Sequence, residues 1–201
     1  YPDIDYGRIA ELLHAGGHPI LAWWYGLGSA RPSVSSADNP VQSHAPSATG
    51  AALDLNFEPE IDAAIDEGIA TAERHQFDAA REAFLRALAL DPGRPGTLSN
   101  LCALEVQAGD LATAKAYCER ALVRSPDFAD AHYNLGLVFA AEGRANEALA
   151  SYAEALRIKP EHAEARLNFG VLLAQRGQFN EALEQLREAV RLQPDLAEAQ
   201  V

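Results

Sequence analysis

The sequence predicts an all-α solenoid built of helix–turn–helix repeats and preceded by an arm that does not repeat. Three observations carry that expectation. From Ile61 onward the chain resembles itself at a period of 34 residues. Ala80, Ala114, Ala148 and Ala182 fall in one column, Ala87, Ala121, Ala155 and Ala189 in a second, and Pro92, Pro126, Pro160 and Pro194 in a third. Gly109, Gly143 and Gly177 recur once per period inside the repeat. Apolar residues keep helical spacing on both sides of those glycines, as with Leu135, Val138 and Phe139 before Gly143 and Leu149, Tyr152 and Leu156 after it. A fixed period of this length marks stacked supersecondary units. One hairpin cannot bury its own apolar face, so stacking supplies the core.

The elements follow in order. Residues 1–28 form an aromatic arm and 29–60 a linker rich in Ser, Pro and Ala. Four repeats occupy 61–94, 95–128, 129–162 and 163–196, and 197–201 begin a further helix. In the third repeat the first helix is expected over 129–142 and the second over 145–158. The two alanine columns, and the column of Gly68, Cys102, Gly136 and Gly170, sit where the paired helices touch, because a larger side chain there would push the backbones apart. Phe84, Cys118, Tyr152 and Leu186 fill the space between them. Proline ends each second helix, since it cannot continue the hydrogen-bond ladder and disfavours helix just before it. The recurring glycine supplies a left-handed turn.

The stretch HYNLGLVFAAEGRANEALASYAEALRIKP, residues 132–160, resembles the tetratricopeptide repeat family nearly throughout, and the resemblance extends over 61–196 and the five residues that follow. It implies a right-handed superhelical solenoid whose first helices line a concave groove. Two departures stand out. Ala64, Leu98, His132 and Arg166 replace the large aromatic usual at the fourth position. The first repeat is the most divergent, with Glu67 and Thr71 where apolar residues are expected; a terminal repeat is often atypical because one face meets a different environment.

The first sixty residues resemble no family. Residues 5–15 have the pattern of a short amphipathic helix stopped by Gly16 and Gly17. Residues 19–25 read as an extended apolar run that ends in Trp23, Trp24 and Tyr25. These aromatics are expected to dock, since large exposed apolar patches are uncommon. Three docks stay open: the groove of the same solenoid, a neighbouring subunit, or another part of a larger protein.

The formal net charge of −13 argues against nucleic acid as the main partner, because phosphate binding needs clustered Lys and Arg. The longest apolar stretch is about half the roughly 20 residues that a membrane span requires, so no membrane insertion is expected. The chain contains no Met, which suggests a processed product or a fragment.

Asn100, Asn134 and Asn168 recur at the sixth position of successive first helices. A carboxamide both donates to and accepts from a peptide backbone, so a ladder of them suits an extended chain of any sequence. A similar ladder lines the groove of the repeat domain in O-linked N-acetylglucosamine transferases. The bland alternative is a set of side chains that satisfies local backbone. The rest of the expected groove includes Tyr133, Leu137, Leu167 and Val171, is apolar to neutral, and lacks the Lys and Arg with which some family members grip a terminal carboxylate.

Cys102 and Cys118 occupy the eighth and twenty-fourth positions of one repeat, on facing sides of its helices. They read either as a disulfide, contributing about 3 kcal/mol in the chain-entropy model and implying an oxidising compartment, or as two reduced core thiols. His14 and His18 do not make a metal site, because Gly16 and Gly17 separate them and no further ligands follow. The GLGSAR stretch from Gly26 lacks the rest of a phosphate loop. No cofactor and no catalytic set is expected.

The reading is a non-catalytic scaffold that binds a protein or peptide segment in its groove. The alternatives are head-to-tail self-assembly through the solenoid ends and the arm, giving a homo-oligomer or filament, and a substrate-recruiting region of a larger enzyme such as a glycosyltransferase. The missing Met and the cysteine pair tilt the compartment toward export, periplasmic or extracellular, over the cytoplasm.

Overall fold

The computed structural model of the chain describes residues 57–194, and all regular structure among them is helical. The eight helices are α1 (Glu58–Glu73), α2 (Phe77–Leu90), α3 (Pro95–Ala108), α4 (Leu111–Arg124), α5 (Ala129–Ala141), α6 (Ala145–Ile158), α7 (Ala163–Gln175) and α8 (Phe179–Leu192). They pair as four antiparallel hairpins, α1–α2, α3–α4, α5–α6 and α7–α8. Each second helix also packs on the next first helix, and α3 lies against α5. The readings placed on the arm, including Trp23, Trp24, Tyr25, His14 and His18, and on residues 197–201, fall outside the described residues.

The turns repeat as closely as the sequence does. Gly109, Gly143 and Gly177 have φ of 83°, 75° and 78°. In each turn the next residue bonds back into the helix: Asp110 N to Glu105 O at 2.9 Å, Arg144 N to Phe139 O at 2.8 Å, Gln178 N to Leu173 O at 3.0 Å. These are the bonds that satisfy orphan carbonyls at a helix end. The first hairpin makes the same turn without glycine. His75, 34 residues before Gly109, has φ 59°, and Gln76 N bonds Thr71 O at 3.0 Å. The second helices stop where proline requires. Asp91, Ser125, Lys159 and Gln193, each preceding a proline, have φ near −130° to −140° and ψ near 90°. The first helix of the third repeat ends at Ala141, one residue short of the expected bound, with Glu142 as its cap.

Inside each hairpin the eighth and twenty-fourth positions meet. A Cβ on Gly136 would fall 2.5 Å from Tyr152 Cε1, and one on Gly170 would fall 2.9 Å from Leu186 Cγ. The absence of a side chain is what lets the partner ring or branch reach the facing backbone. Both alanine columns are buried in all four repeats, as the close approach of the helices demands. In the second repeat the same two positions are Cys102 and Cys118, joined by a disulfide with Cα atoms 5.4 Å apart and both residues fully buried.

The divergent first repeat uses polar bonds where the others use apolar contacts. Thr71 Oγ1 donates to the carbonyls of Glu67 and Gly68 at 2.7 and 3.0 Å, and Glu67 pairs with Arg86. At the fourth position, where an aromatic is usual, His132 Nε2 donates to Pro126 O and Arg166 Nε to Pro160 O, each at 2.8 Å and each six residues back. A polar side chain thus closes the loop between repeats that an aromatic would cover.

Candidate functional site

The first helices carry the candidate residues, and the register of the stack decides what those residues touch. The fifth position of one first helix faces the sixth position of the next. Asn134 Nδ2 donates to Ser99 Oγ at 3.1 Å and to Ser99 O at 3.2 Å. Asn168 Nδ2 donates to Tyr133 Oη at 3.1 Å. Asn100, Asn134, Asn168 and Tyr133 are all buried. The expectation of an open carboxamide ladder is therefore corrected: the amides of Asn134 and Asn168 bind the preceding repeat. The reason is geometric. Both asparagines are buried, and a buried polar group must find its partner within the fold. Asn134 Oδ1 is buried and has no hydrogen-bond partner among the described residues.

The apolar candidates divide between two clusters. Leu137 is buried with Tyr133, Val138, Tyr152 and Leu172, and Leu167 is buried with Ala163, Leu186 and Ala189, with half-buried Val171 packed against it. Val171 is thus the most exposed member of the candidate set. Burial holds the Tyr133 phenol well above its ordinary pKa, and the neighbouring Tyr152 and Glu164 act in the same direction.

The structure also brings together residues that the sequence reading did not single out. Glu105, buried in α3, receives Arg81 from α2 through Nε at 2.6 Å and Nη2 at 2.9 Å, a two-point contact between successive repeats. That contact, opposed by burial and joined by Asp78, raises the Arg81 pKa. Arg94, ahead of α3, reaches back to Glu58 at 2.8 Å and Asp62 at 2.9 Å on α1. His162, ahead of α7, lies 3.5 Å from Asp130 on α5 and 3.1 Å from Glu164. The two last sets share a register visible in the sequence once the end of each repeat is laid against the start of its first helix.

A shallow depression of about 380 Å³ is lined by Pro92, by Leu98 of α3 and by Ala116, Arg120 and Val123 of α4, among others. Val123 is 80% exposed there. Among the described residues no group of three His, Cys, Asp or Glu side chains is placed to hold a metal ion. No helix among them is long and apolar enough to cross a membrane.

Two sequence profiles described as tetratricopeptide repeat match the chain, over residues 72–137 and 127–195. With the turn, column and hairpin geometry above, they place it: the chain belongs to the tetratricopeptide repeat family. No curated protein matches it in sequence. Solved structures do. The chain is 23% identical to TTC0263, a thermophilic TPR protein of Thermus thermophilus, with 70% of this chain and 79% of that one covered and a TM-score of 0.63. It is 22% identical to MamA, with 72% and 85% covered and a TM-score of 0.56. It is 27% identical to YrrB, described as a TPR protein with an unusual peptide-binding site, with 69% and 72% covered and a TM-score of 0.53. An O-GlcNAc transferase of Thermobaculum terrenum is 26% identical over 59% of this chain and 23% of its own length, with a TM-score of 0.56. Tetratricopeptide repeat proteins are generally non-catalytic scaffolds that bind proteins or peptides.

Proposed function

We propose that the chain is a non-catalytic scaffold that binds a segment of another polypeptide along the face of α3, α5 and α7. The observation that supports this most is the seam itself. Asn134 and Asn168 bridge successive first helices in one register, so the half-buried residues that α5 and α7 keep, Val171 among them, are held as a preorganised strip. A preorganised strip orders little on binding and so keeps more of its contact energy as affinity. The similarity to YrrB, whose description names a peptide-binding site, points the same way. In this reading half-buried Val171 gives the apolar contact, and buried Leu137, Leu167 and Tyr133 with the three asparagines hold the helices that carry it in place. The compartment is an oxidising one, outside the cytoplasm, which suits the Cys102–Cys118 bond.

The test is selection of a random displayed-peptide library on the intact chain, repeated on a Val171→Glu variant whose helix content is confirmed by circular dichroism. Enrichment of a common motif that is lost on Val171→Glu is expected. Enriched peptides that bind both chains equally would contradict the assignment of the face.

A second reading rests on the likeness to the repeat region of the O-GlcNAc transferase: the same strip recruits substrates for an enzyme domain. Fusion of the selected motif to a test substrate separates the two, since only recruitment makes modification of that substrate depend on the motif. Self-assembly is read by light scattering over a concentration series; growth of the mass with concentration would favour it.

A further inference from the structure

In each repeat the last position lies 32 residues after the second position of that repeat. In the first repeat these residues are Asp62 and Arg94, and they form an ion pair at 2.9 Å, with Glu58 at 2.8 Å completing it. In the second they are Gly96 and Phe128, without charge, and Phe128 packs with Leu98, Ala121 and Ala131. In the third they are Asp130 and His162, 3.5 Å apart. The first and third joints therefore make the same contact with two chemistries, a permanent cation and a titratable ring, while the second places an apolar ring at that position. Of the three, the His162 joint alone can change its charge near neutral pH.

His162 is built into its joint. Its side chain is 2% exposed, and its ring centroid lies 4.7 Å from that of Tyr133. Nδ1 faces two groups that ask opposite things of it. The Ala165 N–H, at 3.4 Å, needs a lone pair, and the Glu164 carboxylate, at 3.1 Å, needs a proton. Nε2 faces Asp130 at a distance that makes a charge contact and leaves that nitrogen without a hydrogen bond. Every element around the ring contributes a titratable group: Asp130 and Tyr133 from α5, Tyr152 from α6 behind Tyr133, Lys159 from the end of α6, and Glu164 from α7. Burial opposes the charged imidazole, but Asp130 and then Glu164 outweigh it, so the His162 pKa is raised above its ordinary value. Burial likewise opposes the Glu164 carboxylate, and His162, its own backbone and Lys159 outweigh that, so the Glu164 pKa is lowered.

We propose that His162 is a proton-operated latch between the third and fourth repeats, closed by an imidazolium held between Asp130 and Glu164 and released when the ring is neutral. With the proton in place both ring nitrogens are donors. Nε2–H faces Asp130 and ties the start of α7 to the start of α5, as Arg94 ties the start of α3 to α1. Loss of the Nδ1 proton to solvent leaves Nδ1 free to accept from Ala165, removes the donor from Glu164 and takes the positive charge from the 3.5 Å Nε2–Asp130 contact, which rests on that charge. The raised pKa of His162 means that its contribution is complete below the ordinary value of 6.5 and is lost as pH rises through the folded value. The lowered pKa of Glu164 means that its contribution is complete above its ordinary value of 4.5. The joint is therefore tightest in the mildly acid window between the two. Tyr133, against which the ring packs, also accepts the Asn168 amide, so the latch acts on the seam that sets the register of α5 and α7.

The experiment is residue-resolved amide exchange on the whole chain, corrected for intrinsic exchange, at about pH 5.5 and about pH 8.5, on either side of the ordinary histidine value. The protection of Leu167 and Asn168 should fall severalfold at the higher pH. Ser99 and Asn100, at the same register behind the permanent Arg94 contact, should not follow. His162→Arg should abolish the pH dependence and keep protection high. An unchanged ratio in the native chain, an equal fall at Ser99 and Asn100, or the same fall in His162→Arg would each overturn the latch. Should His162→Arg fail to fold, the imidazole titration in the native chain decides: a midpoint above about 6.5 supports the latch and one at or below it overturns it.

Discussion

Asn168 Nδ2 donates a 3.1 Å hydrogen bond to Tyr133 Oη, 35 residues earlier in the chain. Asn134 reaches Ser99 across the same separation. One period plus one residue is the step from a first helix to its neighbour across the seam, so these asparagines set how the repeats stack. Truncation would leave Tyr133 Oη or Ser99 without its donor in a closed seam. Asn168→Ala and Asn134→Ala should each lower unfolding free energy by about 1–3 kcal/mol, measured by urea denaturation. Unchanged stability with altered peptide affinity would return these residues to the role of ligand clamp.

Cys102 and Cys118 stand where Gly136 and Tyr152 stand one repeat later. A covalent link replaces a ring packed on bare backbone. Unfolding and refolding in reductant should yield a chain less stable by about 3 kcal/mol, the value for a closed loop of this size. Denaturation midpoints with and without reductant measure it, and coincident midpoints would mean that packing alone holds the second repeat.

His75 occupies the left-handed turn position that glycine fills in the other three repeats. A side chain with a Cβ costs about 1–2 kcal/mol in that conformation. The edge contact of its ring with Phe77, with centroids 6.0 Å apart, offsets part of this. His75→Gly should therefore raise the thermal midpoint and Gly143→Ala should lower it. A lowered midpoint for His75→Gly would show that the ring contact outweighs the backbone strain.

Glu105 is buried and meets Arg81 at two points. Arg81→Ala would leave a carboxylate without its counter-charge and should cost about 3 kcal/mol. Arg81→Ala with Glu105→Gln should recover part of that loss, because the buried charge is gone. Equal losses in the single and double variants, read from denaturation curves, would show that the pair contributes little beyond packing.

The parts of the fold legible in the sequence are those set by local sterics. The column of Gly68, Gly136 and Gly170, the alanine columns, the prolines and the turn glycines each exclude larger or differently shaped residues, so their spacing alone locates hairpins and turns. The seam was not legible in this way. Periodicity places Asn134 and Asn168 at one position of a first helix, but whether that position meets solvent or a neighbouring helix depends on how closely the repeats approach, which no single repeat encodes. Arg81 with Glu105 joins positions that carry no repeated column. The sets Asp62 with Arg94 and Asp130 with His162 do repeat, two periods apart, with Gly96 and Phe128 lacking both charges between them. A comparison of the two ends of each repeat reveals them, whereas a comparison of columns one at a time does not.

The central claim is that another polypeptide lies along the first helices. The direct measurement is backbone amide chemical-shift mapping of the labelled chain, titrated with a peptide selected on it. The account predicts that the shifts gather on α3, α5 and α7, with Val171 and the neighbours of Leu137 and Leu167 among the largest. Shifts gathered instead on α4 around Arg120 and Val123, with the first helices unmoved, would place the binding surface elsewhere on the solenoid and contradict it.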